Sequence, residues 1–483
     1  MTLRRSSHGP KPPIRRFLLH SFATLILVIA NHSQVFCRVF ADDLAETARR
    51  PNILLIVADD LGWADVGWHG SKFKTPNLDR LVSEGVELDR HYVQPVCSPT
   101  RTALLSGRWT SRFGPHVQRP TNLRAFPAGT TTLASALKQQ GYATCMAGKW
   151  HLGSKPEWGP NHYGFDHSYG SLNGAVDPWT HEYRKGPWQH TWHRDEKILD
   201  EEGNATELVA REIVGHLKSL PEPFFAYVPF HAVHIPVDAP DEFKKPFAAT
   251  QFDLDPAKNE SLQRLAAFVA QMDAKVGDFV RVLDETGRRE RTLIVFTSDN
   301  GGLLKGGNPY VGKVPPTPAL SSNLPLRGAK AQLYEGGVRV AAFAHWKGTL
   351  TPRKMTVPMH AADWTPTLTR LAGREPSAGD RFDGRDVWPL ITGKASTLEA
   401  RPIYIPQGPR RAILYDDWKL IENDAKPDQP ATVELFHLRV DPYEETNLAK
   451  QEPERVKKLQ SMLADVRTGD LTALPDDLEG IHD

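Results

Sequence analysis

Cys97 and Arg101 are the first residues of this sequence whose types and spacing suggest a chemical role. An arginine four residues after a cysteine lies on the same face if the segment enters a helix, and Pro99 suits a first helical turn. Cys97 would then lie at a helix N-terminus, where the peptide dipoles favour an anion. Two interpretations stay open at this point: a reactive cysteine beside a cation, or a buried structural cysteine before a helix.

Acidic residues end two apolar runs of the chain. Asp59 and Asp60 follow the first run, and Asp299 and Asn300 follow the second. Such runs predict buried strands of a largely parallel sheet, whose carboxyl ends carry ligand sites in α/β folds. Carboxylate and amide oxygens suit Ca²⁺ or Mg²⁺ better than zinc, and buried carboxylates repel each other unless a cation lies between them. The pattern favours a metal site over a helix cap and a turn.

Lysines and histidines follow other candidate strands. Because side chains alternate along an extended segment, Lys149 and His151 are predicted to face the same side. His234 begins a loop after another apolar run, and Lys330 lies beside a Gly-rich bend. Near a metal site, a lysine would bind a substrate oxyanion and a histidine would transfer a proton. Taken alone, Lys149 and His151 are more typical of a solvated edge, and Lys330 is more typical of an ordinary basic loop.

Hydrophobic periodicity predicts an α/β fold around these residues. A large, mostly parallel sheet flanked by helices would be followed, from about residue 401, by a smaller antiparallel sheet packed by a helix. The predicted strands are 51–58, 142–147, 224–230, 292–298, 412–415, 418–421 and 434–438, the predicted helices are 76–84, 131–140, 205–219, 261–286, 363–372 and 451–467, and 302–325 is predicted to be a long loop.

The N-terminus has the order of a secretory signal. Basic residues precede an apolar run at 17–30, and small residues end the segment 1–41. This order predicts a signal peptide and an exported protein, in a periplasmic, secreted or lysosome-like compartment. An uncleaved N-terminal anchor is the alternative. The remaining chain divides into a predicted catalytic domain at 42–400 and a C-terminal α+β subdomain at 401–483.

Charge and cysteine content narrow the classes of partner. The chain of 483 residues has 59 basic and 58 acidic side chains and a formal net charge of +1. No overall field would recruit nucleic acid, so none is predicted as a partner, and membrane contact is predicted only through an uncleaved leader. After cleavage only Cys97 and Cys145 would remain, too few for a disulfide framework in an exported protein.

Taken together, these motifs resemble those of the type I, formylglycine-dependent sulfatases. The run Cys-Ser-Pro-Thr-Arg from Cys97, followed by Leu-Ser-Gly-Arg, matches the family's cysteine signature. The resemblance covers about 51–450 and, through the run 170–181 and the 302–325 loop, is closest to arylsulfatase B (N-acetylgalactosamine-4-sulfatase) and its relatives. The concordant motifs are Asp59-Asp-Leu-Gly, Gly148-Lys-Trp-His-Leu-Gly, Ser298-Asp-Asn-Gly-Gly and Pro325-Leu-Arg-Gly-Ala-Lys.

The resemblance implies an alkaline-phosphatase-like fold and hydrolysis of a sulfate ester on a sulfated carbohydrate. In that family the signature cysteine is oxidised to formylglycine (3-oxoalanine), whose hydrate is the nucleophile. Cys97 would be that residue, and a formylglycine-generating or anaerobic maturation enzyme would be a partner. By match of motif, Arg101 would stabilise the modified Cys97, and His151 would take the proton. One Ca²⁺ would be held by Asp59, Asp60, Asp299, Asn300 and the modified Cys97. The sulfate would be bound, or its leaving oxygen assisted, by Lys149, His234 and Lys330.

Two other functions remain as alternatives. One is a phosphonate or phosphate ester hydrolase of the same superfamily. The other is a non-catalytic carbohydrate-binding homologue in which Cys97 is never converted. A group of aromatic residues is predicted either to stack against a sugar or to pack its own loop, and it comprises Trp179, Trp188, Trp192, His181, His190 and His193.

Overall fold

The computed structural model of the protein describes residues 50–306, 310–314, 318–425 and 427–481. The signal peptide or anchor predicted at 1–41 lies outside them. The strands are β1 (Asn52–Ala58), β2 (Val86–Leu88), β3 (His91–Tyr92), β4 (Ala143–Lys149), β5 (His167–Ser171), β6 (Trp192–Arg194), β7 (Lys197–Ile198), β8 (Phe224–Pro229), β9 (Thr292–Ser298), β10 (Ala342–His345), β11 (Arg353–Met355), β12 (Met359–His360), β13 (Ile403–Gln407), β14 (Arg410–Tyr415), β15 (Trp418–Asn423) and β16 (Thr432–His437).

Helices alternate with the strands over most of the chain. None of those in the described ranges is both long and apolar enough to cross a membrane. They are α1 (Pro76–Ser83), α2 (Cys97–Ser106), α3 (Leu133–Gln139), α4 (Ala205–Ser219), α5 (Asp241–Lys244), α6 (Pro256–Glu285), α7 (Glu335–Val338), α8 (Trp364–Leu371), α9 (Trp388–Ile391) and α10 (Pro453–Arg467).

The main sheet places the ends of β1 and β9 side by side. Within the described residues, ten strands form one sheet in the order β11-β2-β10-β9-β1-β8-β4-β5-β6-β7. The five central strands, from β9 to β5, run parallel to one another. Ala58 at the end of β1 pairs with Ser298 at the end of β9, so the residues after both strands emerge at one edge of the sheet. The predicted mixed, mostly parallel sheet is confirmed.

Both faces of the central strands are covered, which explains their continuous apolar sequences. All seven residues of β1 are buried. Alternate side chains point to opposite faces: Leu54 packs in a cluster with residues of α4 and α6, whereas Leu55 packs in a cluster with residues of α2, α3 and α8. Burying one such side chain contributes roughly 1.5–3 kcal/mol, so this strand is fixed firmly at the centre of the sheet.

The chain after residue 400 forms a second, antiparallel sheet. Strands β13 to β16 pair in sequence order. Leu459 and Leu463 of α10 are buried in the same apolar cluster as Ile413 and Leu420 of this sheet. The predicted antiparallel sheet packed by a helix is therefore confirmed, with β13 as a strand that the pattern did not predict. The division into domains at 42–400 and 401–483 stays a prediction.

Helix α6 starts five residues before its predicted beginning. The Asp255 side chain caps it by accepting hydrogen bonds from the backbone N–H groups of Ala257 and Lys258, at 2.9 and 3.0 Å, and Pro256 occupies the first helical position. This first turn is mostly exposed and has no apolar period. Capping residues rather than apolar spacing therefore set the start of this helix.

A buried ion cluster joins β15 to two other segments of the chain. The Lys419 ammonium lies 3.0 Å from a carboxylate oxygen of Glu335 and 2.8 Å from one of Glu444, and all three side chains are fully buried. Burial raises the pKa of Glu444 to about 7; Lys419 opposes this shift and Glu335 adds to it. One lysine therefore pairs with two carboxylates. Glu444 keeps its proton in the folded protein at pH values at which the unfolded chain would release it.

The raised pKa of Glu444 predicts a pH-dependent stability. Because the folded state binds this proton more tightly than the unfolded state, the associated stability is present at low pH and is lost as pH rises through about 7. We expect Glu444→Gln to gain about 1–3 kcal/mol of stability relative to the wild type between about pH 5 and pH 8, measured by urea unfolding. The exposed neighbour change Glu445→Gln serves as control, and parallel pH curves for all three proteins would contradict the prediction.

Candidate active site

The acidic residues predicted to hold a metal meet at the carboxyl edge of β1 and β9. The Asn300 side-chain amide donates a hydrogen bond to Asp60 Oδ1 at 2.7 Å. The backbone N–H of Asp60 donates to Asp299 Oδ1 at 3.3 Å. Asp59, Asp60, Asp299 and Asn300 are each at most 2 % exposed. The four residues thus form one buried cluster, although 240 residues separate Asp60 from Asn300.

Cys97 is the first residue of α2, as its sequence context predicts. Its side chain is buried, and its sulfur lies in a group with carboxylate oxygens of Asp59 and Asp299 in which all three atoms are within 4.8 Å of one another. Burial raises the pKa of the thiol, while Lys149 and Lys330 act against that shift. The position therefore favours a neutral thiol over a free thiolate.

Arg101 links Cys97's helix to the acidic cluster. Its Nε and Nη2 atoms donate to Asp299 Oδ2 at 3.1 and 2.8 Å, and its Nη1 donates to the Lys149 carbonyl at 2.7 Å. The guanidinium is fully buried. One turn of helix places the cysteine and the arginine on the same side, so Arg101 fixes α2 against the ends of β4 and β9.

The two predicted sulfate-binding lysines pair with the remaining carboxylates. Lys149 Nζ donates to Asp59 Oδ2 at 2.5 Å, and Lys330 Nζ lies 2.6 and 2.8 Å from the two Asp60 oxygens. With Arg101 on Asp299, each carboxylate of the cluster therefore has one cation. Buried pairs of this kind offset their desolvation only when each partner remains in place.

Two oxygens of this cluster have no donor. Asp59 Oδ1 and Asn300 Oδ1 are buried and have no hydrogen-bond partner among the described residues. Burial, followed by repulsion from Asp299, raises the pKa of Asp59 to about 7, whereas Lys330 and His234 overcome burial and lower the pKa of Asp60. A dication would further stabilise the ionised form of Asp59, whose pKa is raised although Lys149 opposes the shift, and would use both free oxygens. The all-oxygen donor set fits Ca²⁺.

His151 and His234 lie at the floor of a cleft that also contains Cys97 and Lys330 and has a volume of about 730 Å³. His234 Nδ1 lies 2.5 Å from the Ile235 carbonyl oxygen, and Nε2 lies 3.6 Å from Asp60 Oδ2. Burial lowers the pKa of His234 to about 3 and, with Lys149 and Arg101, lowers that of His151 well below its usual value. Both imidazoles are thus neutral near pH 7.

The route by which His151 reaches the cleft differs from the predicted alternation. Strand β4 ends at Lys149, and His151 has a left-handed backbone with φ of 56°. A residue outside the strand is not bound to its two-residue period, so the prediction of one extended segment was wrong. The charge of Lys149 still lowers the pKa of His151, so the structure brings both residues to one site.

Gly174 leaves the space that the His151 ring occupies. A Cβ atom at this position would lie 2.3 Å from His151 Nε2, closer than real contacts allow. We expect Gly174→Ala to push the imidazole aside and, if His151 takes the proton as the resemblance implies, to lower catalytic activity by about 10–100-fold, because small misplacements of a reacting group cost that much. Gly215→Ala, in α4 with no atom within 4 Å of the added carbon, should keep full activity. Equal activities of the two variants would exclude this role of Gly174.

The aromatic group predicted to stack on sugar mostly packs its own loop. Trp192 and His181 are buried and stack on each other at 4.2 Å, and His193 is also buried. Trp179 donates to Asp238 at 2.8 Å. Trp188 alone of the six lines the cleft, and His190 is exposed but does not line it.

Other cleft residues have no periodicity or motif that would mark them in the sequence. They come from loops at 119–122 and 183–188, and Leu303 and Tyr310 also line the cleft. Arg119, Arg184 and Tyr310 resemble ordinary solvated loop residues until the folded chain places them in one wall. The only signal in the sequence was the concentration of charged and aromatic residues in these loops.

This arrangement defines a class of protein: a hydrolase with an alkaline-phosphatase-like fold, whose carboxylates and cations surround one residue at a helix N-terminus. The chain belongs to the sulfatase family, because the family model described as Sulfatase matches residues 51–374.

Individual relatives agree with this family. Arylsulfatase J of Mus musculus is 30% identical over 475 residues, which cover 86% of this chain and 75% of the mouse protein. N-acetylgalactosamine-6-sulfatase of Homo sapiens is 31% identical over 382 residues, which cover 74% of this chain and 68% of the human protein. The crystal structure of Ps i-CgsB in complex with k-i-k-neocarrahexaose superimposes with a TM-score of 0.77 and 29% identity, covering 88% of this chain and 94% of that one. The predicted sulfatase family is confirmed.

Proposed function

We propose that the protein hydrolyses a sulfate ester on a sulfated glycan, with a formylglycine hydrate derived from Cys97 as nucleophile and a single bound Ca²⁺. The observation that carries the proposal is the position of Cys97, within 4.8 Å of two carboxylates that belong to an all-oxygen cluster with two unsatisfied oxygens. The names of the sulfatase relatives support the reaction class. The saccharide complex of Ps i-CgsB supports a glycan substrate.

The residues divide the chemical work by charge. When present, the calcium ion and the hydrate supply a Lewis acid and a nucleophilic oxygen. Lys149 and Lys330 are then placed to stabilise the charge that grows on the sulfate oxygens, since both ammonium groups already face the same buried cluster. Because Arg101 is held by Asp299 and by a backbone carbonyl, it keeps residue 97 in position rather than moving with the substrate.

The two histidines handle protons and leaving groups in this proposal. His151 is neutral and lines the cleft beside Cys97, so it can accept the proton from an oxygen at residue 97. The Ile235 carbonyl fixes the His234 ring through Nδ1, which leaves Nε2 toward Asp60 and the cleft. In this proposal Nε2 contacts the sulfate or its leaving oxygen when it carries a proton.

Turnover and peptide mass test the proposal together. The protein is produced with a formylglycine-generating enzyme, the proposed maturation partner, and without it. We expect 4-nitrophenyl sulfate hydrolysis to rise with the fraction of Cys97 peptide that has lost its sulfur. Faster hydrolysis of 4-nitrophenyl phosphate or a phosphonate ester would favour the phosphohydrolase alternative. An unconverted Cys97 peptide together with glycan binding would favour the non-catalytic one.

Calcium is expected to stabilise the folded protein. A ligand that binds only the native state at 100 times its Kd adds about 2.7 kcal/mol, so Ca²⁺ should raise Tm and a chelator should lower it. Asp299→Asn should lose most of the calcium-dependent shift, whereas the exposed change Asp465→Asn should keep it. The measurement is differential scanning calorimetry with and without calcium. Equal calcium shifts in both variants would rule out a metal at this cluster.

The sulfated position on the sugar is a finer part of the proposal. The sequence resemblance predicts N-acetylgalactosamine 4-sulfate, whereas one relative is named for the 6-sulfate. A panel containing the 4-sulfate and the 6-sulfate of N-acetylgalactosamine, with carrageenan oligosaccharides, separates these substrates. Preferential release of sulfate from the 4-position would support the predicted specificity.

Export is the remaining part of the proposal. The leader predicted at 1–41 would direct the chain out of the cytoplasm and be cleaved after Ala41. The N-terminal sequence of the mature protein and its distribution between soluble and membrane fractions test this. A mature protein that retains the leader in the membrane fraction would support the anchor instead.

A further inference from the structure

The cleft above Cys97 has a mouth whose charge is not balanced. Among its described lining residues are the cations Arg119, Arg184, Lys185 and Lys330, and none of the described lining residues is an aspartate or a glutamate. Lys330 pairs with Asp60 at the floor. Over the described ranges, the other three form no ion pair within 4.0 Å. The three carboxylates of the buried cluster are paired with Arg101, Lys149 and Lys330, so the unpaired positive charges lie at the mouth of the cleft.

Arg184 is held in place by aromatic rings rather than by a carboxylate. Its guanidinium carbon lies 5.5 Å from the centre of the Tyr183 ring and 5.3 Å from that of Tyr310. The two rings are themselves 5.5 Å apart. Arg184 also hydrogen-bonds the Tyr310 side chain, and the cation–π contacts leave its remaining N–H donors available to an anion. This side chain is exposed, yet its direction is set by the cleft wall.

Tyr310 connects this arginine to the reacting end of the cleft. Its ring centre lies 6.1 Å from that of His234 and 5.3 Å from the Arg184 guanidinium carbon, so one ring contacts both residues. A sugar unit whose sulfate reaches Cys97 would therefore bring its neighbouring substituents to Arg184 and Lys185. Trp188, in the same wall, offers an apolar face for a sugar ring.

We propose that Arg184 and Lys185, together with Arg119 of the same cleft, form a second anion subsite, which recognises an additional sulfate or carboxylate on the same glycan. The inference rests on the proposed function, since it takes the reacting sulfate to lie at Cys97. The substrate is then a glycan with at least two anionic groups. Aromatic residues in the same wall and the small net charge of +1 favour a glycan over a nucleic acid.

Competition against a singly charged substrate tests the subsite. Hydrolysis of 4-methylumbelliferyl sulfate is measured at low ionic strength with dextran sulfate oligosaccharides, oligogalacturonate or neutral dextran as competitor. We expect Arg184→Ala/Lys185→Ala to weaken inhibition by dextran sulfate about tenfold or more, relative to the KM for the aryl sulfate. The matched control is Lys457→Ala/Arg467→Ala, which removes the same two charges from exposed positions of α10 and should change the inhibition less than twofold.

The outcomes are distinct. Inhibition by dextran sulfate alone supports a subsite for sulfate, and equal inhibition by oligogalacturonate supports one that also accepts carboxylate. The subsite is overturned if the Arg184/Lys185 variant and the control are inhibited alike, if neutral dextran inhibits equally, or if a single-stranded oligonucleotide of the same charge competes as well through these residues. Binding of fluorescent dextran sulfate to the Cys97→Ala protein is measured in parallel. If the unsubstituted protein shows no turnover, that result counts against the proposed function. Loss of dextran sulfate binding when Arg184→Ala/Lys185→Ala is added to the Cys97→Ala protein would still decide the subsite.

Discussion

Cys97→Ala is expected to lower kcat/KM for 4-nitrophenyl sulfate by at least about 10³-fold while leaving the fold intact. The methyl group cannot carry the nucleophilic oxygen, and removal of a nucleophile leaves only the contribution of binding and charge stabilisation. The side chain loses a single sulfur atom at the edge of a cleft, so we expect Tm to change by only a few degrees. Initial rates and calorimetry on the same preparation give both quantities.

Cys145→Ala is the matched control for this change. Cys145 is also a buried free cysteine, but it lies in β4 within the apolar core and lines no part of the cleft. Its replacement should lower Tm through lost packing and should leave kcat/KM nearly unchanged. If Cys97→Ala retains more than a tenth of the activity, the residue is not the nucleophile.

Arg101→Ala is expected to lower the free energy of unfolding by about 3–5 kcal/mol. Loss of one partner from a buried ion pair leaves the other charge uncompensated. Here the guanidinium is fully buried between Asp299 and the Lys149 carbonyl, and its Nη2 lies 4.0 Å from Asp59 Oδ2. Urea unfolding in the presence of a chelator measures the loss without a metal contribution.

A double variant separates the charge effect from simple loss of packing. Arg101→Ala/Asp299→Asn removes both partners, so it should be more stable than the sum of the two single changes predicts, by about 1–3 kcal/mol. The exposed change Arg467→Ala should alter stability by no more than about 0.5 kcal/mol. Strict additivity of the two buried changes would show that the pair contributes no coupling energy.

The central part of the fold was predictable because its residues obey simple periods. β1 and β9 are buried on both faces, so their sequences are continuously apolar, and each ends in acidic residues that the sheet then brings together. The pairing of these two strands is not written in either one alone. The sequence predicts only that both strands deliver acidic residues at their carboxyl ends, and the sheet places those ends side by side.

The edges of the fold and the walls of the cleft were not predictable in this way. Strands β3, β7 and β12 have two residues each, too short for any period to be seen. Arg184 and Tyr310 come from separate loops, and their contact depends on a path of the chain that local sequence does not define. His151 reaches the site through a left-handed backbone, which neither its residue type nor the strand pattern indicates.

The long separation between the two halves of the acidic cluster has a kinetic consequence. Asp60 and Asn300 meet only after β9 has inserted beside β1, across 240 residues of chain. A polypeptide emerging N-terminus first therefore has no complete coordination sphere until most of the sheet has assembled. Such non-local strand pairing forms slowly, and an ion that binds only the completed cluster cannot accelerate folding. Calcium should slow unfolding and leave the folding rate unchanged.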